Sequence, residues 1–274
     1  MRTADGIELA TEHHSVPDCR GRVVIVHGYA EHKGRYRQLV EALVAARYAC
    51  HLFDLRGHGD SGGLRGHVSR FAEYRTDLDG FIEEVRALPA APSPLLLLGH
   101  SLGGLIALDF VLHRPEVLDA LAVSSPFLAP AFPVPFFKRT LLPPVANIVP
   151  TLSVQTGLDP AWLSHDPLVV GAYATDPKVF STVTLGWFIE IQKAQAEVFQ
   201  KAPEIVLPTL VQIGDADPIA APNRTRALFE RLGSTSKRLL AYPGFLHEVF
   251  NELERARVVS GLLAWLGERT AGRL

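Results

Sequence analysis

The 274-residue sequence predicts an α/β protein: a mostly parallel central sheet with helices on both faces and an inserted cap. Three observations carry this expectation. Short apolar β-like runs alternate with helical stretches through the first part of the chain. The same rhythm resumes after residue 203. Between the two blocks lies a stretch rich in proline and aromatic residues, PFLAPAFPVPFFKRTLLPPVANIVP, that breaks it. The expected organisation is therefore a core of residues 1–125 and 204–274 with a cap of residues 126–203.

The elements follow in order. Val23–Val26 is a β-branched run ending at His27-Gly28, and Arg35–Arg47 places Leu39, Leu43 and Val44 at helical spacing. Ala49–Asp54 reads as a second buried strand, followed by a glycine-rich loop from Leu55 to Gly66. Ser69 is expected to cap a helix reaching Leu88, with Phe71, Leu78, Phe81, Ile82 and Val85 turned inward. Leu95–Leu98 is a continuous apolar strand, and a helix from Leu102 to His113 and a strand at Leu118–Val123 come next. Such unbroken apolar runs suit parallel strands buried on both faces. After the cap, Thr209–Ile213 and Arg238–Tyr242 read as strands, and Asn223–Leu232 and Leu253–Leu266 as helices.

Composition excludes several functions. With 27 basic and 29 acidic residues the net charge is −2, which leaves no electrostatic footprint for nucleic acid. The only cysteines, Cys19 and Cys50, do not form a disulfide framework or a zinc site, and Cys50 lies in an apolar run as a small hydrophobe. The N-terminal MRTADGIELATEHH has no apolar signal region, and no apolar stretch is long enough to span a bilayer. A cytoplasmic enzyme acting on a small molecule, without metal or organic cofactor, is the expectation. Oligomeric state is not legible.

The chemistry centres on Gly99-His-Ser101-Leu-Gly103, set between an apolar strand and a helical pattern. A nucleophile on a tight strand-to-helix turn needs small neighbours, and the helix that follows brings its positive end near a developing oxyanion. The pentapeptide alone would arise by chance about one time in ten; its placement between strand and helix distinguishes it from a plain glycine turn. Serine needs a base and an orienting acid. His247, on the loop after the last strand, fits the base, and His165, inside the cap, reads as structural. Asp215 and Asp217 share the loop after Thr209–Ile213. Gly214-x-x-Asp217 favours Asp217 as the acid and leaves Asp215 as a turn residue. The oxyanion donors are expected from the backbone of Leu102 and of Tyr29, with His27 ordering the loop.

These residues carry a resemblance. His27-Gly-Tyr-Ala-Glu-His-Lys-Gly-Arg-Tyr36 resembles the HGxGEHxxRY segment of the monoacylglycerol lipase and lysophospholipase-like family, and Asp54-Leu-Arg-Gly-His-Gly-Asp-Ser61 its DxRGHGxS loop. Gly63–Gly66, Gly99–Gly103, Gly214–Asp217 and His247-Glu248 with Asn251-Glu252 extend the match from Ile7 to Leu266, weakest through the cap. The resemblance implies an α/β-hydrolase fold and a triad of Ser101, Asp217 and His247. It also implies an oxyanion hole from Tyr29 and Leu102, and a cap over an apolar acyl tunnel. Glu31, His32, Arg35, Asp54, Arg56 and His58 fall on motif positions and read as a charged network around the site, with contact to a polar substrate head as the alternative. Two positions depart from the pattern: Ala30 replaces a glycine, and Tyr29 is bulkier than the residue often found there.

Phe127, Leu128, Phe132, Phe136, Phe137, Leu141, Leu142 and Ile148 make the cap unusually apolar; Phe127, Phe132 and Phe136 are the expected substrate contacts, with packing of the cap onto the core as the alternative role of the stretch. The expected partner is a lipid-like ester, with transient membrane or micelle contact through the cap. Lysophospholipid, thioester and aryl ester remain open as substrates, as does a prolyl aminopeptidase activity. A non-catalytic ligand-binding protein on a hydrolase scaffold is the alternative of another class.

Overall fold

The computed structural model describes residues 1–89, 93–132, 145, 146 and 148–271. The sequence places Val, Ile and Leu in unbroken runs, and these become the centre of a seven-stranded sheet. Its strands are β1 (Thr11–His14), β2 (Gly21–Val26), β3 (Tyr48–Phe53), β4 (Leu95–His100), β5 (Ala120–Ser124), β8 (Thr209–Gly214) and β9 (Lys237–Tyr242). They lie in the order β1-β3-β2-β4-β5-β8-β9; β1 runs antiparallel to β3 and every other pair is parallel.

Alternation along each strand divides the core in two. Val23, Ile25, Leu96, Leu98 and Leu210 face α1 (Arg37–Ala45) and the final helix α7 (Arg255–Thr270), whose Leu43, Leu262 and Trp265 complete that layer. Val24, Val26, Leu97, Val211 and Ile213 face the other side. There they pack against α2 (Ala72–Ala87), α3 (Leu102–His113), α5 (Leu185–Lys201) and α6 (Pro222–Arg231). A helix layer on each face is the architecture the alternating pattern predicts.

One local expectation, the Ser69 cap, is corrected, and the structure adds elements at two further places. β1 is an additional edge strand: TEHH is short and polar, and only its pairing with β3 makes it β. Ser69 does not cap α2, which begins at Ala72. Its entry is held instead by carboxylates: Glu73 accepts the backbone N–H of Arg70 at 3.1 Å, and Glu190 that of Phe71 at 3.0 Å. The stretch between β5 and β8 also holds regular structure. It contains a two-stranded antiparallel ribbon, β6 (Ser153–Gln155) with β7 (Thr182–Thr184), then α4 (Pro167–Thr175) and the 17-residue α5. The Thr184 side chain caps α5 by accepting the Trp187 N–H at 3.3 Å. Trp187, Ile191, Ala194 and Val198 of α5 join the main core.

Candidate active site

The β4–α3 junction is one tight turn. Ser101 takes φ 53° and ψ −115°, a sparsely populated conformation for a side-chain-bearing residue, and α3 starts at the next residue. Its backbone is fixed from both sides: its N–H donates to Ser124 O at 2.9 Å, and its carbonyl accepts from Phe127 N–H at 3.0 Å. The turn is possible because Gly103 has no side chain; a Cβ there would lie 2.1 Å from the Val26 carbonyl oxygen. α3 can therefore press its first turn onto the end of β2.

The loops after β8 and β9 bring two further groups to this point. His247 Nε2 lies 2.9 Å from Ser101 Oγ, and His247 Nδ1 lies 2.8 Å from Asp217 Oδ2. The other Asp217 oxygen accepts the N–H groups of Ile219 at 2.8 Å and Ala220 at 3.0 Å, which fixes the carboxylate plane. Asp215 is turned away and exposed, accepting Gly244 N–H at 2.6 Å. All three residues of the relay are buried. Burial works to lower the His247 pKa, but the charge and hydrogen bond of Asp217 outweigh it, and the imidazole is raised above its ordinary value.

The backbone of Tyr29 enters from the β2 loop. A Cβ on Gly28 would lie 3.2 Å from Ser101 Cβ, so this loop runs directly beside the serine. Leu102 N–H is the first of the unpaired donors that open α3. His27 holds the loop as a neutral ring: Nδ1 reaches Gly28 O at 2.7 Å, and Nε2 accepts Leu55 N–H at 2.9 Å. Burial lowers its pKa, in keeping with that neutral form.

A charged chain ties the Tyr29 loop to the His247 loop. Glu31 accepts Gly28 N–H at 2.5 Å and the Tyr36 hydroxyl at 2.8 Å. Arg35 binds Glu31 at 2.9 Å and Glu248, next to His247, through two bonds of 2.5 and 2.8 Å. Burial alone would raise Glu31, but the Arg35 charge holds its carboxyl at about 2. Glu248 is a partner that sequence reasoning named only as part of a motif; its pairing across the chain had no local signal. The remaining motif residues act at a distance from the serine. Asp54 accepts Lys33 N–H and Lys33 Nζ, both at 2.8 Å; Arg56 pairs with Asp77 through two bonds of 2.6 Å; His32 meets Asp176 at 2.8 Å; His58 Nδ1 lies 2.9 Å from Arg56 O. His165 Nδ1 lies 2.9 Å from Glu252, joining the insert to the base of the His247 loop.

Ser101 and His247 open onto a cavity of about 440 Å³. Its walls are mainly apolar: Phe127 and Phe132 line it, as do Leu163, Trp187, Phe188 and Ile191. Phe136, also expected there, lies outside the described residues, as do Phe137, Leu141 and Leu142. The α5 wall carries no motif; the 3.6-residue spacing of Leu185, Ile191, Ala194 and Val198 is the one signal that could have found it. The lining carboxylates, Glu31 and Glu248, are both paired with Arg35. Among the described residues, no cluster of His, Cys, Asp or Glu could hold a metal ion, and no helix is long and apolar enough to cross a membrane. A buried Asp–His–Ser relay beside backbone N–H donors can generate a serine alkoxide equivalent and hold an oxyanion.

Known proteins share this arrangement of chain. Residues 17–254 match the family model Hydrolase_4, described as serine aminopeptidase, S33. The chain is 33% identical over 256 residues to the monoacylglycerol lipase of Mycolicibacterium smegmatis, covering 91% of this chain and 89% of that one. It is 30% identical over 250 residues to phospholipase YtpA of Bacillus subtilis, covering 89% and 93%. The crystal structure of Paleococcus ferrophilus monoacylglycerol lipase superposes with a TM-score of 0.87 at 35% identity, covering 96% of this chain and 99% of that one. On the match of its sequence and its fold, this chain belongs to the Hydrolase_4 (serine aminopeptidase, S33) family of α/β-hydrolases, within its monoacylglycerol lipase-like group.

Proposed function

We propose that this protein is a serine carboxylic-ester hydrolase that cleaves monoacylglycerol-like lipid esters through an acyl-enzyme on Ser101. The observation that carries the reading is the Asp217–His247–Ser101 relay opening onto an apolar cavity. In this account His247 takes the Ser101 proton as the oxygen attacks the ester carbonyl, and Asp217 holds the ring and stabilises its charge. The N–H groups of Tyr29 and Leu102 bind the oxyanion. His247 then protonates the leaving alcohol, and water repeats the sequence on the acyl-enzyme. No step calls for a cofactor.

The relatives support this substrate class: two are monoacylglycerol lipases, and the phospholipase makes a lysophospholipid the second reading. An aminopeptidase would need a free carboxylate for the substrate amine, and the two carboxylates lining the cavity are both engaged by Arg35. The division into core and cap, 126–203, is part of the same proposal. So is transient contact of the cap with lipid. Of the nine exposed large apolar side chains among the described residues, six belong to that segment, with Ile148 and Leu168 each 81% exposed.

One assay tests the reading. Wild type and Ser101→Ala are given p-nitrophenyl esters, a monoacylglycerol and a lysophospholipid, free and in phosphatidylcholine vesicles, and a prolyl amide. Ester turnover in the wild type, lost in the variant, with monoacylglycerol preferred, is the expected result. Turnover of the prolyl amide alone, or of nothing, overturns it. Ile148→Ser with Leu168→Ser is expected to slow hydrolysis only from vesicles; equal rates there overturn the lipid contact.

A further inference from the structure

We infer that the Tyr29 side chain, and not only its backbone, selects the acyl group: it is a fixed wall of the acyl cavity, pinned to the insert by its hydroxyl. The inference rests on the ester hydrolysis proposed above. Tyr29 lines the cavity one residue beyond Gly28, which runs against Ser101. Its ring sits in an aromatic cluster. The ring centroid lies 4.2 Å from that of Trp187, 5.4 Å from Phe180 and 5.3 Å from His58. Such a wall suits hydrocarbon, whereas Glu31, Glu248 and Tyr173 beside Arg35 suit a polar head.

The wall is stiff. The Tyr29 hydroxyl donates to Thr182 O in β7 at 2.8 Å. The seat around it is full: a Cβ on Gly66 would lie 2.3 Å from that hydroxyl. Trp187 is fixed from behind, its indole N–H donating to the buried Tyr74 hydroxyl at 3.1 Å. The ring therefore has nowhere to turn when a longer or branched chain presses on it. A hydrophobic pocket of fixed size discriminates by the methylenes it cannot hold. Removing the ring would join its volume to the cavity.

The test is the chain-length profile of kcat/KM on p-nitrophenyl esters from butyrate to laurate. For Tyr29→Ala, the laurate-to-butyrate ratio is expected to rise about tenfold or more over wild type, while Tyr29→Phe, which keeps the ring, moves it by less than about threefold. A Tyr29→Ala profile parallel to wild type at every length overturns the inference, since a backbone role alone scales all chains alike. Tyr29→Leu, which keeps an apolar core contact, serves if the alanine variant does not fold. Its ratio is expected to rise in the same direction, and an unchanged ratio overturns the inference equally. Labelling by a small fluorophosphonate is run in parallel. A wild type that takes the label but hydrolyses no ester overturns the ester reading itself, and the wall with it. Active wild type with unchanged variant ratios overturns only the role of Tyr29.

Discussion

At the scale of single residues the proposed chemistry rests on Ser101 and His247. The serine is held at φ 53°, a conformation that costs about 1–3 kcal/mol and persists where the surroundings over-determine it. His247 works as a base only when neutral, and Asp217 raises its pKa above the ordinary value. The expected pH profile of kcat/KM therefore falls on the acid side through an inflection above that of an ordinary imidazole. Asp217→Asn removes the raising charge and leaves burial, so the inflection moves down while kcat drops by about 10⁴-fold. An inflection unmoved in that variant would contradict the assignment. The sign for stability is opposite to that for activity. A raised histidine stabilises the fold most below its unfolded pKa, and that contribution is lost as pH rises through the folded one. That Ser101, Asp217 and His247 meet could be read from the chain, because each sits in a short loop directly after a recognisable strand. The Arg35–Glu248 pair could not: the partners are far apart in sequence, and charge alone does not choose between the many available acids.

Legibility follows hydrophobic pattern at the scale of elements. β2, β4, β5 and β8 are buried on both faces, and their continuous apolar runs announce them. β1 is half-exposed, takes its structure from its neighbour and leaves no such trace. The entry to α2 depends on Glu190, which comes from the distant α5, so a serine at the expected cap position misleads. α5 itself was hidden in a region read only for its prolines and aromatics. The β4–α3 junction is the element-scale feature on which the site depends. Gly103→Ala would drive a methyl group into two backbone carbonyls, at 2.1 Å from Val26 O and 2.5 Å from His27 O. Neither can move without shifting β2 or the loop that carries Tyr29. We expect destabilisation of about 1–3 kcal/mol by thermal melt, and a loss of about 100-fold or more in kcat from the displaced nucleophile. Full activity in a folded Gly103→Ala protein would show that the close approach is not needed.

The strand ends define the site at the scale of the whole molecule. Ser101, Asp217 and His247 follow the C-terminal ends of β4, β8 and β9, the edge at which open parallel sheets place their ligands. Described residues of the segment between β5 and β8 meet the loops at that edge at three points. Thr182 holds Tyr29, Asp176 meets His32, and the Leu163 carbonyl accepts Glu248 N–H at 2.8 Å. The parallel sheet and its helices were legible from alternation alone, but the cavity was not. Its walls come from at least seven separate stretches of chain, and no local pattern records which of them converge.

Ser101 is proposed as the nucleophile that carries the acyl group during turnover. Intact-mass and peptide mass spectrometry after treatment with a long-chain alkyl fluorophosphonate tests this most directly. The expected result is a single adduct per chain, located on Ser101, absent from Ser101→Ala and strongly slowed in His247→Ala. An adduct on another residue, one that persists in Ser101→Ala, or none in a folded and ester-active protein would contradict it.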